Sequence, residues 1–139
     1  MITKRFTSLP DDARRIRTEV FVEEQGFKVE FDETDNTAVH LVMYDGDTAA
    51  AVCRYFFDKD HGCFMIGRVA VSKQYRGKHL GSEIMKEAEK FIVADGGTTL
   101  AVSAQCRVRE FYEKLGYTAC SEEYLDEYCP HILMSKNVQ

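Results

Sequence analysis

Apolar residues recur along this chain with two different periods, and the switches of period divide it into elements. Ala13, Ile16, Val20 and Phe21 share one face at helical spacing. With Pro10 near the start and Asp11 and Asp12 in the first turn, they predict a helix over Pro10 to Gln25. An acidic segment with little periodicity follows, carrying Glu30, Asp32, Glu33 and Asp35. Val39 to Tyr44 and Thr48 to Phe57 are predicted strands, and Asp45-Gly46-Asp47 between them is a hairpin signal. A second turn at Asp58 to Gly62 leads into a strand ending at Val71, which completes an antiparallel meander. From Leu80 the spacing turns helical again, through Ile84, Ala88 and Phe91, until Gly96-Gly97 ends the helix. Thr98 to Ser103 predicts a strand and Arg107 to Leu115 a short helix closed by Gly116. Tyr117 to Cys120 and His131 to Lys136 are the last strands, separated by a polar, acidic insert. The order α-βββ-α-β-α-β-β implies the α/β class, with one mixed sheet and helices on both faces.

At 139 residues, a single domain over 1–139 with a real core is expected. No apolar run approaches a membrane span and the charged N-terminus does not resemble a signal peptide, so the cytoplasm is the expected location. A net charge of −5 argues against nucleic acid as the main partner, because phosphate neutralisation needs a basic face. The five cysteines lack CxxC spacing, which speaks against a zinc site or a disulfide scaffold. His61 and Cys63 make half a metal site without a visible second half, so no metal is expected.

Against this acidic background one segment stands out, Phe64 to Ser82, FMIGRVAVSKQYRGKHLGS. Val69, Ala70 and Val71 suit a buried strand, whereas Ser72 to Gly81 holds Lys73, Arg76, Lys78 and two glycines but no acid. A strand, a basic loop and a helix N-terminus with free N–H groups together can hold a phosphate or pyrophosphate, or simply form a solvated connection. The segment is neither a P-loop nor a dinucleotide fingerprint. A local basic site in an acidic protein fits an anionic cofactor paired with a cationic substrate.

Arg76-Gly77-Lys78-His79-Leu80-Gly81 resembles the Arg/Gln-x-x-Gly-x-Gly/Ala pyrophosphate motif of the GCN5-related N-acetyltransferases, with His79 in place of the first glycine. A second match runs from Ser103 to Tyr117. It resembles the family's Asn-x-x-Ala-x-x-Phe-Tyr-x-x-x-Gly-Phe segment, with Gln105 at the Asn position and Val108 at the Ala position. Arg17-x-x-Val20-Phe21-Val22-x-Glu24-Gln25 with Glu30-x-Asp32-x-x-Asp35 and His40 is the third match, and Pro130-His131-x-x-Met134 is the fourth. Together they cover nearly the whole chain and are similar to a subgroup of small bacterial acetyltransferases, the ElaA and YjcF type.

The resemblance implies a fold, a donor and a site. Acetyl-CoA would be the acyl donor, and a small-molecule amine, rather than a protein, the acceptor. Backbone groups at Val69, Ala70 and Val71 would align the pantetheine arm as a neighbouring strand. Arg76, Gly77, Lys78, His79, Leu80, Gly81 and Ser82 would hold the pyrophosphate, and Gln105 belongs to the same cofactor side. Tyr112 inherits the role of proton donor to the departing thiolate. A thiol near pKa 8.5 and a Tyr near 10 make that transfer feasible once the groups are hydrogen-bonded. By spacing alone, Val108, Phe111, Tyr112 and Leu115 also form a core stripe. An acceptor amine must lose a proton, and Glu24, Glu30, Asp32, Asp35 and His131 are the candidate bases, with Glu30, Asp35 and His131 placed with Tyr112 as catalytic candidates. Charged loop residues of this kind also occur as plain solvated surface. A non-catalytic CoA-binding module on the same fold is the alternative, and a homodimer is a possible assembly.

Overall fold

The computed structural model describes residues 1–138. One eight-stranded mixed sheet runs in the order β1-β2-β3-β4-β5-β8-β6, with β7 also paired to β8. The strands are β1 (Ile2–Phe6), β2 (Val39–Asp45), β3 (Thr48–Asp58), β4 (Cys63–Val71), β5 (Thr99–Gln105), β6 (Thr118–Ala119), β7 (Tyr124–Asp126) and β8 (Cys129–Asn137). The helices are α1 (Asp11–Arg17), α2 (Leu80–Ala94) and α3 (Arg109–Lys114).

Both faces of the sheet are covered, which explains why β3 is buried from Ala49 to Tyr55 rather than alternating. Alternate side chains go to different helices. Leu41, Met43, Ala51, Cys53 and Tyr55 pack with Ile84, Met85, Ala88 and Ile92 of α2. Val42, Val52 and Ala70 pack on the other face with Ala13, Ile16 and Val20. The β2–β3 hairpin closes at Gly46, whose φ of 59° a glycine takes without a Cβ penalty.

Three features differ from the expected elements. The strand β1 precedes the first helix and pairs with β2, from Ile2↔Tyr44 to Phe6↔His40. The helix predicted over Pro10 to Gln25 keeps its span but changes its winding, because Thr18–Glu24 is a π-helix. Segments of that kind concentrate at functional sites. Finally, the acidic insert contains β7, which forms a hairpin with the start of β8 through Tyr124↔His131 and Asp126↔Cys129.

Candidate functional site

The site begins with the one parallel pair of strands. β4 and β5 are joined at Phe64↔Leu100, Met65↔Ala101 and Ile66↔Val102, and no further. The separation coincides with a bulge. Val52 and Arg54 of β3 pair with Ala70 and Gly67 of β4, so Arg68 and Val69 together face Cys53. An extra residue bends a strand and increases its twist, which turns the second half of β4 away from β5. Arg68 takes the positive φ of 53° at this bend.

Beyond the bulge β4 still pairs with β3, and the Ser72 N–H donates to the Ala50 carbonyl at 2.9 Å. Backbone groups of a strand alternate in direction, so those of Val71, and of Val69 two residues earlier, point to the opposite edge, into the gap. The Ala70 side chain is buried towards α1, and by the same alternation its N–H and C=O face β3, so Ala70 turns none of its polar groups to the gap.

The gap leads to the loop before α2. Lys73–Tyr75 is a 3-10 turn, Arg76 is extended, Gly77 has φ 80°, and His79 occupies the N-cap of α2 with φ 62°. His79 thus fills, with a non-glycine residue, a left-handed position that a glycine adopts without strain. Its side chain makes no capping bond, and the first intrahelical bond runs from the Glu83 N–H to the His79 carbonyl. The N–H groups of Leu80, Gly81 and Ser82 therefore have no acceptor within the helix. A Cβ added at Gly81 would meet Phe111 Cζ at 3.2 Å, so this glycine allows α2 and α3 to approach closely. Arg76 is engaged by Glu24, and the Lys78 ammonium lies 5.2 Å from the Tyr75 ring centre.

A cavity of about 170 Å³ opens where β4 and β5 part, and Tyr112, His131, Glu30, Gln105 and Val69 all line it. Tyr112 is 8% exposed, edge-on to Phe111 and Tyr117, and burial pushes its pKa well above the ordinary tyrosine value. It therefore stays protonated at neutral pH. No hydrogen bond to its hydroxyl occurs among the described residues, so the core stripe and the site share this side chain. His131 Nδ1 lies 2.9 Å from the Cys129 carbonyl. A carbonyl only accepts, so Nδ1 carries the proton, and in the neutral ring Nε2 keeps its lone pair. Tyr124 stacks on the ring and Phe27 meets it edge-on. The Gln105 amide donates to the Gln25 side chain across the cleft at 2.9 Å and accepts from Arg107 at 2.7 Å.

The two acids end up in a different kind of place. Glu30 touches the cavity, but its Oε2 is shared by Arg17 at 2.8 Å and Arg68 at 3.0 Å. Burial raises its pKa, outweighing Arg68, Arg17 and the more distant Arg54. Asp35 is not at the cavity. Burial opposes its ionisation, but hydrogen bonds from Arg17 at 2.8 Å and Arg54 at 2.8 Å hold its carboxyl far below the usual range. Asp32 pairs with Arg54 and Arg68 in the same cluster. Three arginines thus neutralise three carboxylates beneath the loop, and the Asp35 carboxylate, held between two guanidiniums, is unsuited to take a proton at neutral pH. The structure thus places Asp35 in this ion cluster, away from the cavity that Tyr112 and His131 line.

Other residues of the site carried no sequence signal of their role. The β7–β8 hairpin brings Asp126 and His131 to the cavity wall. Its Glu127 carboxylate accepts from the N–H groups of Lys28 at 2.9 Å and Val29 at 3.0 Å, and the Tyr128 hydroxyl bonds the Gln25 carbonyl. Among the described residues no group of three or more His, Cys, Asp or Glu side chains is placed to hold a metal, and no helix is long and apolar enough to cross a membrane.

The mixed sheet with its parallel β4–β5 pair is shared with solved structures of N-acyltransferases. The sequence pattern of the acetyltransferase (GNAT) domain matches residues 10–138, and the chain belongs to this family. It is 36% identical over 129 residues to the uncharacterised N-acetyltransferase YjcF of Bacillus subtilis, covering 91% of each chain. The crystal structure of Escherichia coli ElaA superposes with a TM-score of 0.85 at 26% identity, covering 97% of this chain and 98% of that one. An acyl-CoA N-acyltransferase from Pseudomonas aeruginosa does so with a TM-score of 0.86 at 28% identity, over 97% and 98%.

Proposed function

We propose that the protein transfers an acetyl group from acetyl-CoA directly to the primary amine of a small molecule. The observation that carries this reading is the convergence of Tyr112, His131 and the free edge of β4 on one cavity, beside a helix start whose Leu80, Gly81 and Ser82 amides have no helical partners. Acetyl-CoA supplies the acetyl group as a thioester. The backbone of Val69 and Val71 offers the pantetheine arm a strand-like partner, and an N–H of this edge polarises the thioester carbonyl. The amides from Gly77 to Ser82 receive the pyrophosphate, and Arg76 and Lys78 add positive charge.

His131 is the general base of choice, because its Nδ1–H is committed to the Cys129 carbonyl and Nε2 is left to accept the amine's proton. Attack of the amine nitrogen forms the amide bond and breaks the C–S bond. Tyr112 then donates its proton to the departing sulfur. Glu30 positions Arg68 and the cavity wall rather than moving protons. Much of the rate comes from holding the two reactants together.

Thiol release from acetyl-CoA, measured over a panel of polyamines, aminosugars and amino acids, tests the reaction. Amine-dependent release is expected, and Tyr112→Phe should lower kcat while the acetyl-CoA Kd stays within a few-fold. Tight binding with no release for any amine would instead indicate a non-catalytic CoA-binding module.

A further inference from the structure

The end of the π-helical segment reaches across to the cofactor half of the site. Glu24 takes the Arg76 guanidinium in a two-pronged pair, Nη1 to Oε2 at 2.8 Å and Nη2 to Oε1 at 2.6 Å. The remaining guanidinium nitrogen, Nε, donates to the Val71 carbonyl at 3.3 Å. Every nitrogen of the group that the loop would present to a diphosphate is therefore already in use. The pair is accessible, with side chains 42% and 37% exposed, and it can be exchanged without unfolding anything. Hydrogen bonds from Arg76 hold the Glu24 carboxyl below its ordinary pKa, so it is ionised at neutral pH.

We propose that Glu24 competes with the diphosphate of coenzyme A for Arg76, so that it lowers cofactor affinity and is displaced when the cofactor binds. The inference rests on the assignment of Arg76 to Ser82 as the pyrophosphate loop. The guanidinium has an end-on and a side-on two-pronged face, and with Nη1 and Nη2 held by Glu24 and Nε by the Val71 carbonyl, a diphosphate takes either face only by displacing one of these acceptors. The Glu24 charge also stands where a dianion would arrive, so it opposes binding even before Arg76 is exchanged. The neighbouring Gln25 ties the same helix end to the other lip of the cleft through Gln105. Glu24 is thus a positioning residue for Arg76.

Isothermal titration of coenzyme A into the wild type, Glu24→Gln, Arg76→Gln and the double variant tests the competition, with a thermal melt of each to verify folding. An exposed pair of this kind is worth a factor of about two to five in affinity, so Glu24→Gln should bind coenzyme A more tightly by about that factor. Arg76→Gln should bind it more weakly, and adding Glu24→Gln to Arg76→Gln should recover little. Unchanged or weaker binding by folded Glu24→Gln overturns the competition, as does an equal gain in the Arg76→Gln background. Absence of coenzyme A binding in all four proteins would overturn the pyrophosphate loop itself, and the competition with it.

Discussion

Replacing His79 by glycine should make the protein more stable, and the size of the gain follows from one dihedral angle. His79 sits at φ 62°, exposed, without a capping bond from its side chain. A left-handed conformation costs an L-residue with a Cβ roughly 1–2 kcal/mol. Glycine avoids this cost but has a more flexible unfolded chain, which returns about 0.5–1 kcal/mol of the benefit. The net stabilisation is about 0.5–1 kcal/mol, and for a chain of 139 residues that raises Tm by about 2–4 °C at the upper end. Differential scanning calorimetry of His79→Gly reads it, with His79→Ala as the control that keeps a Cβ and hence the strain. The glycine should also leave coenzyme A binding intact or improved, because only the side chain is removed from the loop. An unchanged or lower Tm for His79→Gly would mean that the imidazole stabilises the loop by more than its backbone strain, and would refute the reasoning.

The buried ion cluster and the end of α2 give further expectations. Asp35→Ala removes the carboxylate between Arg17 and Arg54 and should destabilise the fold by about 3 kcal/mol or more in denaturant unfolding, since it leaves buried charge uncompensated; a loss under about 1 kcal/mol would contradict this. Because the Asp35 carboxyl is depressed in the fold, the folded state binds fewer protons than the unfolded chain. The stability it contributes is present above the ordinary Asp pKa of about 4 and is lost as pH falls below it, so the acid side of the stability–pH curve should be flatter in Asp35→Asn. Gly97→Ala would place a Cβ 2.4 Å from Ile92 Cγ2 and 3.0 Å from the Ile92 carbonyl, and should cost about 1–3 kcal/mol in a thermal melt.

The sheet was legible wherever the sequence carried its own punctuation. Asp45-Gly46-Asp47 marked the β2–β3 hairpin, and the change from β-branched residues to helical spacing at Leu80 marked the entry to α2. β1 was not legible, because Ile2-Thr3-Lys4-Arg5-Phe6 is a short edge strand with two charges and draws its pairing from β2. β7 was hidden in an acidic stretch for a similar reason, being wholly exposed and dependent on β8. The π-winding after Arg17 has no local signature, since its apolar spacing still resembles a helix. At the site, the basic loop could be read because its chemistry is local. The partners of its side chains could not, because Glu24 lies 52 residues from Arg76 and Gln25 lies 80 from Gln105. Charge in the segment from Glu30 to Asp35 suggested solvent or catalysis, whereas Arg17, Arg54 and Arg68 bury and neutralise it from three other elements.

Crystals grown with acetyl-CoA would decide whether the forked strands are a cofactor site. The pantetheine arm should lie between Val69–Val71 and Ser103–Gln105, with the pyrophosphate on the Gly77 to Ser82 amides and the thioester within hydrogen-bonding reach of the Tyr112 hydroxyl. Acetyl-CoA bound elsewhere on the protein, or a thioester far from Tyr112, would contradict the proposed transferase site.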